Sequence, residues 1–226
     1  MRGTETGVPI GFYAFLNVIT EEISYPAGTR VLLWRLEQEL PEMLALCRQA
    51  GIAVDDIVDL RVKRQREKAA ERLLLCRAFG HPVTLDHTSQ GAPLVLGHED
   101  VNISITHTTG LVALAVNESR LIGIDAEQAD RRQVLKVRDK FLNASEQRFI
   151  AHDDLTAHII AWTAKEAVIK AERNSALDWT DGIVLAPSDN ACENGQATLV
   201  ARCGDNSYRL TSRIIDGHWL TVATTE

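Results

Sequence analysis

The chain has 226 residues, with 31 Asp and Glu against 24 Lys and Arg and a formal net charge of −7. Hydrophobic residues make up 45% and aromatic residues 5%, which excludes a disordered chain and leaves ample sequence for the core of one large or two small domains. The negative balance argues against general nucleic-acid binding, which needs broad phosphate neutralisation, and no apolar run approaches the roughly 18 residues of a membrane-crossing helix.

The opening residues carry no basic region followed by an apolar stretch, so a cytoplasmic location is expected. Leu32, Leu33, Leu36, Leu40, Leu44 and Cys47 fall near helical spacing and predict a helix over 31–51, broken or kinked at Pro41 and stopped by Gly51. A second helix is predicted over 62–79, ended by Gly80 and Pro82. Residues 61–77 hold seven basic side chains against two acidic ones, and 131–140 hold five against one. These stretches read either as solvated helix faces or as positions reserved for anionic ligands. Short turn-bounded segments at 83–86, 93–96, 101–106 and 111–116 read as strands or loops of a small antiparallel sheet.

A strand is predicted over 121–127 and a helix over 132–140. Asn143-x-x-Glu146 is a capping box expected to open a helix through His152. A long helix follows over 156–173. Strands at 183–185, 196–203, 208–215 and 218–223 form a meander with turns at Asn194-Gly195, Gly204-Asp205 and Asp216-Gly217. The fold class is α+β, read as two similar α/β-layered halves, 1–117 and 118–226. Cys47, Cys76, Cys192 and Cys203 form no C-x-x-C pair and are expected as reduced, buried thiols. His81, His87, His98 and His107 match no zinc spacing.

Two segments carry chemistry. Along the strand Leu121-Ile-Gly-Ile-Asp-Ala-Glu127, Ile122, Ile124 and Ala126 face one side, Asp125 and Glu127 the other. Carboxylates at this spacing repel unless a cation or donor lies between them, and they suit a hard ion such as Mg²⁺; the same pattern also ends ordinary strands. In the predicted long helix, Ile160, Ala164, Ala167, Val168 and Ala171 form an apolar stripe, with alanines small enough for close approach to a sheet. Trp162, Glu166 and Lys170 lie at i, i+4 and i+8 on a separate face. Taken alone, Glu166 and Lys170 are a surface ion pair worth about 0.3–0.5 kcal/mol.

Together, Gly123-Ile-Asp-x-Glu127, Phe141-Leu-x-x-x-Glu146 and Trp162-x-x-Lys-Glu-Ala-x-x-Lys-Ala171 resemble the 4′-phosphopantetheinyl transferases in order and spacing. Asn102-Ile-Ser-Ile-Thr-His-Thr108 resembles the Ser-His-Ser/Thr segment of the family's Sfp-type branch. Gly91-Ala-Pro93 is similar to its Gly-Lys-Pro loop, and Lys63-Arg64-Gln-Arg66-Glu67 with Arg72 to its basic helix. The likeness covers about residues 60–173.

The resemblance implies a pseudo-dimeric, monomeric transferase. It would move the phosphopantetheine arm of coenzyme A onto a serine of an apo carrier protein and release 3′,5′-ADP. It implies Mg²⁺, with Mn²⁺ as an alternative, held by Asp125, Glu127 and Glu166. Glu166 would take the serine proton, preferably through a water because a metal-bound carboxylate is a poor base. Lys170 would stabilise the leaving group and Lys165 would neutralise phosphates. Arg64, Arg72, Gly91, Pro93, Thr106 and His107 would contact the coenzyme. The partner is an acidic helical carrier, for which the basic segment 131–140 is a complementary surface.

Two departures stand out: Ala92 replaces the usual lysine of the Gly-Lys-Pro loop, and Ala126 is smaller than the aliphatic residue usual between the two carboxylates. Glu146 remains open between a helix cap and a functional role. Two other classes stay in view: a catalytically silent carrier- or CoA-binding module of the same fold, and a different CoA-using enzyme without a metal triad. Nothing in the sequence selects among fatty-acid, polyketide and non-ribosomal peptide carriers.

Overall fold

The computed structural model describes residues 16, 20–193 and 196–226, without the side chains of 189–193. The Asn194-Gly195 turn and the Cys192 thiol lie outside the described residues. Strands β1 (Glu21–Tyr25) and β2 (Thr29–Arg35) precede helices α1 (Leu40–Gln49) and α2 (Val62–Phe79). A two-stranded ribbon, β3 (Leu85–His87) with β4 (Pro93–Val95), leads into a hairpin of β5 (Asn102–Thr108) and β6 (Leu111–Asn117). β6 returns to pair with β2, giving an antiparallel sheet in the order β1-β2-β6-β5.

Beyond the turn after β6 comes β7 (Ile122–Gln128), then the short helices α3 (Gln133–Lys136), α4 (Arg138–Phe141) and α5 (Glu146–Phe149) and the long helix α6 (Leu155–Glu172). The chain finishes in a meander of β8 (Val184–Glu193), β9 (Gln196–Cys203), β10 (Asn206–Ile215) and β11 (His218–Thr225), in the sheet order β7-β11-β10-β9-β8. In each half, one strand is followed by a long helix and later by a hairpin whose second strand pairs antiparallel with the first: β2 with β6, β7 with β11. The α+β class stands.

Apolar alternation stacks these pieces into helix–sheet–sheet–helix layers. Leu32 and Trp34 of β2 pack with Met43, Cys47, Leu73 and Leu74 under α1 and α2. Val31 and Leu33, from the opposite face, join Ala113 and Ala115 of β6 against Ile122, Ile124, Ala126, Leu220 and Val222 of the second sheet. On that sheet's outer face, Ala164, Ala167, Val168 and Ala171 of α6 pack with Tyr208, Leu210 and Ala223. The expected alternation along β7 is therefore observed. Gly123, Asp125 and Glu127 are left facing α6.

Three expectations are corrected. Residues 31–51 are not one helix, because β2 buries both of its faces and a doubly buried strand reads as a continuous apolar run that mimics a helical stripe. Pro41 opens α1 in its first turn, where a missing N–H costs nothing. Residues 132–140 form two four-residue helices rather than one. The Asn143 capping box forms, with Glu146 N donating to Asn143 Oδ1 (3.0 Å) and Asn143 N to Glu146 Oε2 (2.8 Å). Its helix nevertheless stops at Phe149, where Ile150 turns extended to bury itself beside α6. Among the described residues, no helix is long and apolar enough to cross a membrane.

α6 approaches β7 so closely that a Cβ on Gly123 would stand 1.8 Å from the carbonyl oxygen of Ala167 and 2.8 Å from the amide nitrogen of Ala171. Both atoms belong to backbone, so neither can swing aside. Gly123→Ala is therefore expected to cost at least about 1–3 kcal/mol of unfolding free energy in a urea titration; an unchanged midpoint would contradict this packing.

Candidate active site at the seam of the two sheets

β5 is one edge of the first sheet and β7 one edge of the second. The two are stitched together where Ile124 N donates to Ser104 Oγ (3.0 Å) and Thr106 Oγ1 donates to Asp125 Oδ1 (3.1 Å). On the other flank of β7, successive turns of α6 bring Trp162, Glu166 and Lys170 to the same place. Lys170 Nζ donates to Asp125 Oδ1 (2.8 Å) and to the Ile124 carbonyl (2.9 Å). Glu127 pairs with Arg131, whose guanidinium lies over the Trp162 ring, 5.4 Å from its centre. Trp162 is fixed in turn by ring contacts with Phe141 and Trp179.

These side chains line an open cavity of about 410 Å³ that contains Asp125, Glu127 and Glu166. Burial, and secondly the neighbouring Asp125, raise the Glu166 pKa; Lys170 and Arg131 act in the opposite direction. Asp125 is 7% exposed, and its Oδ2 is buried with no hydrogen-bond partner. Three carboxylates, one with an orphaned oxygen and one disfavoured in its charged form, fit a hard divalent cation. Among the described residues no three such side chains are yet drawn together at ligating distance: Glu127 is turned to Arg131, and Asp125 to Lys170 and Thr106.

A second cavity, of about 270 Å³, shares Ile105, His107 and Lys170 with the first. Its walls include Arg64 and Lys68 of α2, His87, Gly91 and Pro93 of the ribbon, and Arg173 just past α6. Arg64 Nη1 donates to His107 Nε2 (2.7 Å) and to Glu67 (3.1 Å). That bond makes Nε2 an acceptor and places the proton of a neutral His107 on Nδ1. Gly91, at φ 83°, closes the turn that starts at Thr88 and brings Ala92 and Pro93 to the cavity. An acidic chamber and a basic one thus meet at His107 and Lys170.

The structure brings together Asp125, Glu127, Glu166, Lys170, Thr106, His107, Arg64, Gly91 and Pro93. Two expected coenzyme contacts lie elsewhere. Lys165 points into the core, 0% exposed, with its three N–H donors spent on Glu146 Oε2 (2.8 Å) and the carbonyls of Trp179 (2.5 Å) and Ile183 (2.9 Å). One residue before Glu166 on a helix is about 100° away, so the two cannot share a face. Arg72 lines a different cavity and is held by Asp56 (2.6 and 2.9 Å) and the Ala53 carbonyl.

Glu146 is resolved as a structural residue. Fully buried, it accepts from Lys165, from Asn143 N and from Leu185 N (2.7 Å), tying α5, α6 and β8 together. Sequence reasoning missed Arg173, and it took Arg131 only as part of a surface charge run. The one available signal for Arg131 was its i+4 spacing from Glu127.

Residues 121–223 match the family model described as the 4′-phosphopantetheinyl transferase superfamily, from the start of β7 into β11. The matched segment contains Asp125, Glu127, Glu166 and Lys170, while Arg64, Gly91, Pro93, Thr106 and His107 precede it. No curated protein matches the chain.

Two outcomes test this geometry. The raised Glu166 pKa means that the folded state favours the protonated carboxyl. Its contribution is fully present below the ordinary glutamate pKa and is lost as pH rises through the raised value. Glu166→Gln should therefore melt above the parent near neutral pH and converge with it in acid; calorimetry showing no pH-dependent difference would contradict the burial. Glu146→Gln leaves the Lys165 ammonium buried without its counter-charge, and should cost about 3–5 kcal/mol in chemical denaturation.

Proposed function

We propose, from the match of residues 121–223 to the 4′-phosphopantetheinyl transferase superfamily model, that this chain moves the 4′-phosphopantetheine of coenzyme A onto a serine of an apo carrier protein. We assign it to the Sfp-type branch, acting as a single cytoplasmic chain whose two halves, 1–117 and 118–226, form a pseudo-dimer around one site. The observation that carries this reading is the junction at His107 and Lys170, where a chamber of three carboxylates opens onto a basic groove. A pyrophosphate linking a nucleotide to a reacting arm needs both kinds of surface at once.

In the reaction, the serine Oγ forms a bond to the β-phosphorus, the bond from that phosphorus to the bridging oxygen breaks, and 3′,5′-ADP leaves. Glu166 receives the serine proton, directly or through a water; burial beside Asp125 raises its proton affinity, the direction a base requires. Asp125, Glu127 and Glu166 would hold Mg²⁺ or Mn²⁺, which when bound supplies charge stabilisation to the phosphoryl oxygens. Lys170 orients Asp125 and faces the place where charge develops. Arg64 fixes the ring of His107 so that its Nδ1–H can be donated to a phosphate. Gly91 and Pro93 shape the groove around the coenzyme, and Thr106 lines the acidic chamber beside it.

Arg132 and Lys136, both exposed on α3 and its entry, would meet the acidic helices of the carrier. Arg132→Glu with Lys136→Glu is expected to raise the KM for carrier while leaving CoA affinity unchanged; an unaltered carrier KM would remove this patch from the docking surface. The function itself is tested by incubating the chain with coenzyme A, Mg²⁺ and a panel of apo carrier proteins, then weighing the carriers. A gain of one phosphopantetheine is expected, with Glu166→Ala slower by at least about 10²-fold. Bound coenzyme with no mass gain on any carrier would instead identify a silent CoA-binding module.

A further inference from the structure

Four cationic side chains face the basic groove: Arg64, Lys68, Lys170 and Arg173. Three are answered by carboxylates, Arg64 by Glu67, Lys68 by Glu71 and Lys170 by Asp125. Among the described residues, Arg173 has no such partner. Among the described residues its guanidinium makes a single hydrogen bond, from Nη2 to Asn102 Oδ1 at 3.0 Å, and no ion pair.

The backbone at this position is equally unusual. Arg173 closes α6 in the left-handed conformation, φ 55° and ψ 30°, with its N–H bonded back to the carbonyls of Ile169 and Lys170. That conformation suits glycine, because an L side chain crowds its own backbone there. The other long helix, α2, ends in the same way on Gly80, at φ 75°. The helix dipole favours a cation near this end, but an arginine inside the last turn would satisfy it without strain. A side chain kept at a conformational cost beside a cavity, with its charge unanswered, points to a ligand.

We propose that Arg173 is a phosphate-binding residue of the coenzyme groove, an inference that rests on the coenzyme reading above. Asn102, at the start of β5, holds one edge of the guanidinium, and the remaining N–H donors are free to grip a phosphate group as a fork. Because Asn102 lies on β5 and Arg173 just past α6, the guanidinium that meets the anion is itself held across the seam. The other three groove cations keep their carboxylate partners, so Arg173 brings the groove a positive charge that no carboxylate among the described residues offsets.

The test is calorimetric titration of the full chain, and of its Arg173→Gly and Arg173→Lys variants, with coenzyme A and with 3′,5′-ADP, alongside thermal melts. Arg173→Gly is expected to bind both ligands about tenfold more weakly, while melting no lower than the parent because glycine relieves the left-handed strain. Arg173→Lys, which keeps the charge but not the fork, should fall between. Wild-type affinity in Arg173→Gly overturns the inference alone, and so does a lowered midpoint in both variants with parallel losses of affinity, the mark of a structural role. A wild-type chain that binds neither ligand overturns the coenzyme reading and this inference with it.

Discussion

Everything at the site depends on how close α6 lies to β7. With no Cβ at Gly123, the backbone of Ala167 and Ala171 rests on the strand itself. That closeness lets Lys170 reach both the Ile124 carbonyl and Asp125, and it sets Glu166 beside Asp125, where its charge is felt. A helix one side-chain layer further out would present the same residues to solvent as an ordinary surface pair. Small residues at the contact therefore convert a sequence spacing into a reactive arrangement.

The second organising element is the seam. Each sheet brings one of its two edges to the seam, β5 and β7, and these are joined by Ser104 and Thr106 on one side and by the β7 backbone and Asp125 on the other. Edge strands normally carry a risk of unwanted pairing; here they are placed against each other, and the opening beside them becomes the groove. Acidic residues come from β7 and α6, while the basic ones come equally from α2, with Arg64 and Lys68, and from the end of α6, with Lys170 and Arg173. The net charge of −7 thus conceals a local separation of signs, which is what a phosphoanhydride with a bound cation requires.

Much of this was legible in the chain. The period-2 alternation around Asp125 placed its face correctly, because a strand between two layers must sort its side chains. The boundaries of α2 were equally plain, since the αL residue Gly80 marks the end of a helix that otherwise has no breaker. What misled was burial on both faces: β2 hides its period and reads as helix. Lys165 misled for a related reason. Its motif neighbours Glu166 and Lys170 line the cavity, yet helical geometry turns Lys165 into the core, where Glu146 and two carbonyls consume it. Arg173 left no trace in the sequence, because only the backbone reveals that it occupies a glycine conformation.

In the proposed function the acidic chamber and the basic groove act as one site, coupled through Lys170 and Asp125. Coupling of this kind is a reciprocal free energy, so it is measured most directly by titrating coenzyme A into the chain with and without Mg²⁺, in the wild type and in Asp125→Asn. Mg²⁺ is expected to tighten coenzyme binding to the wild type and to have no effect on the variant. Equal coenzyme affinity under all four conditions would contradict this coupling.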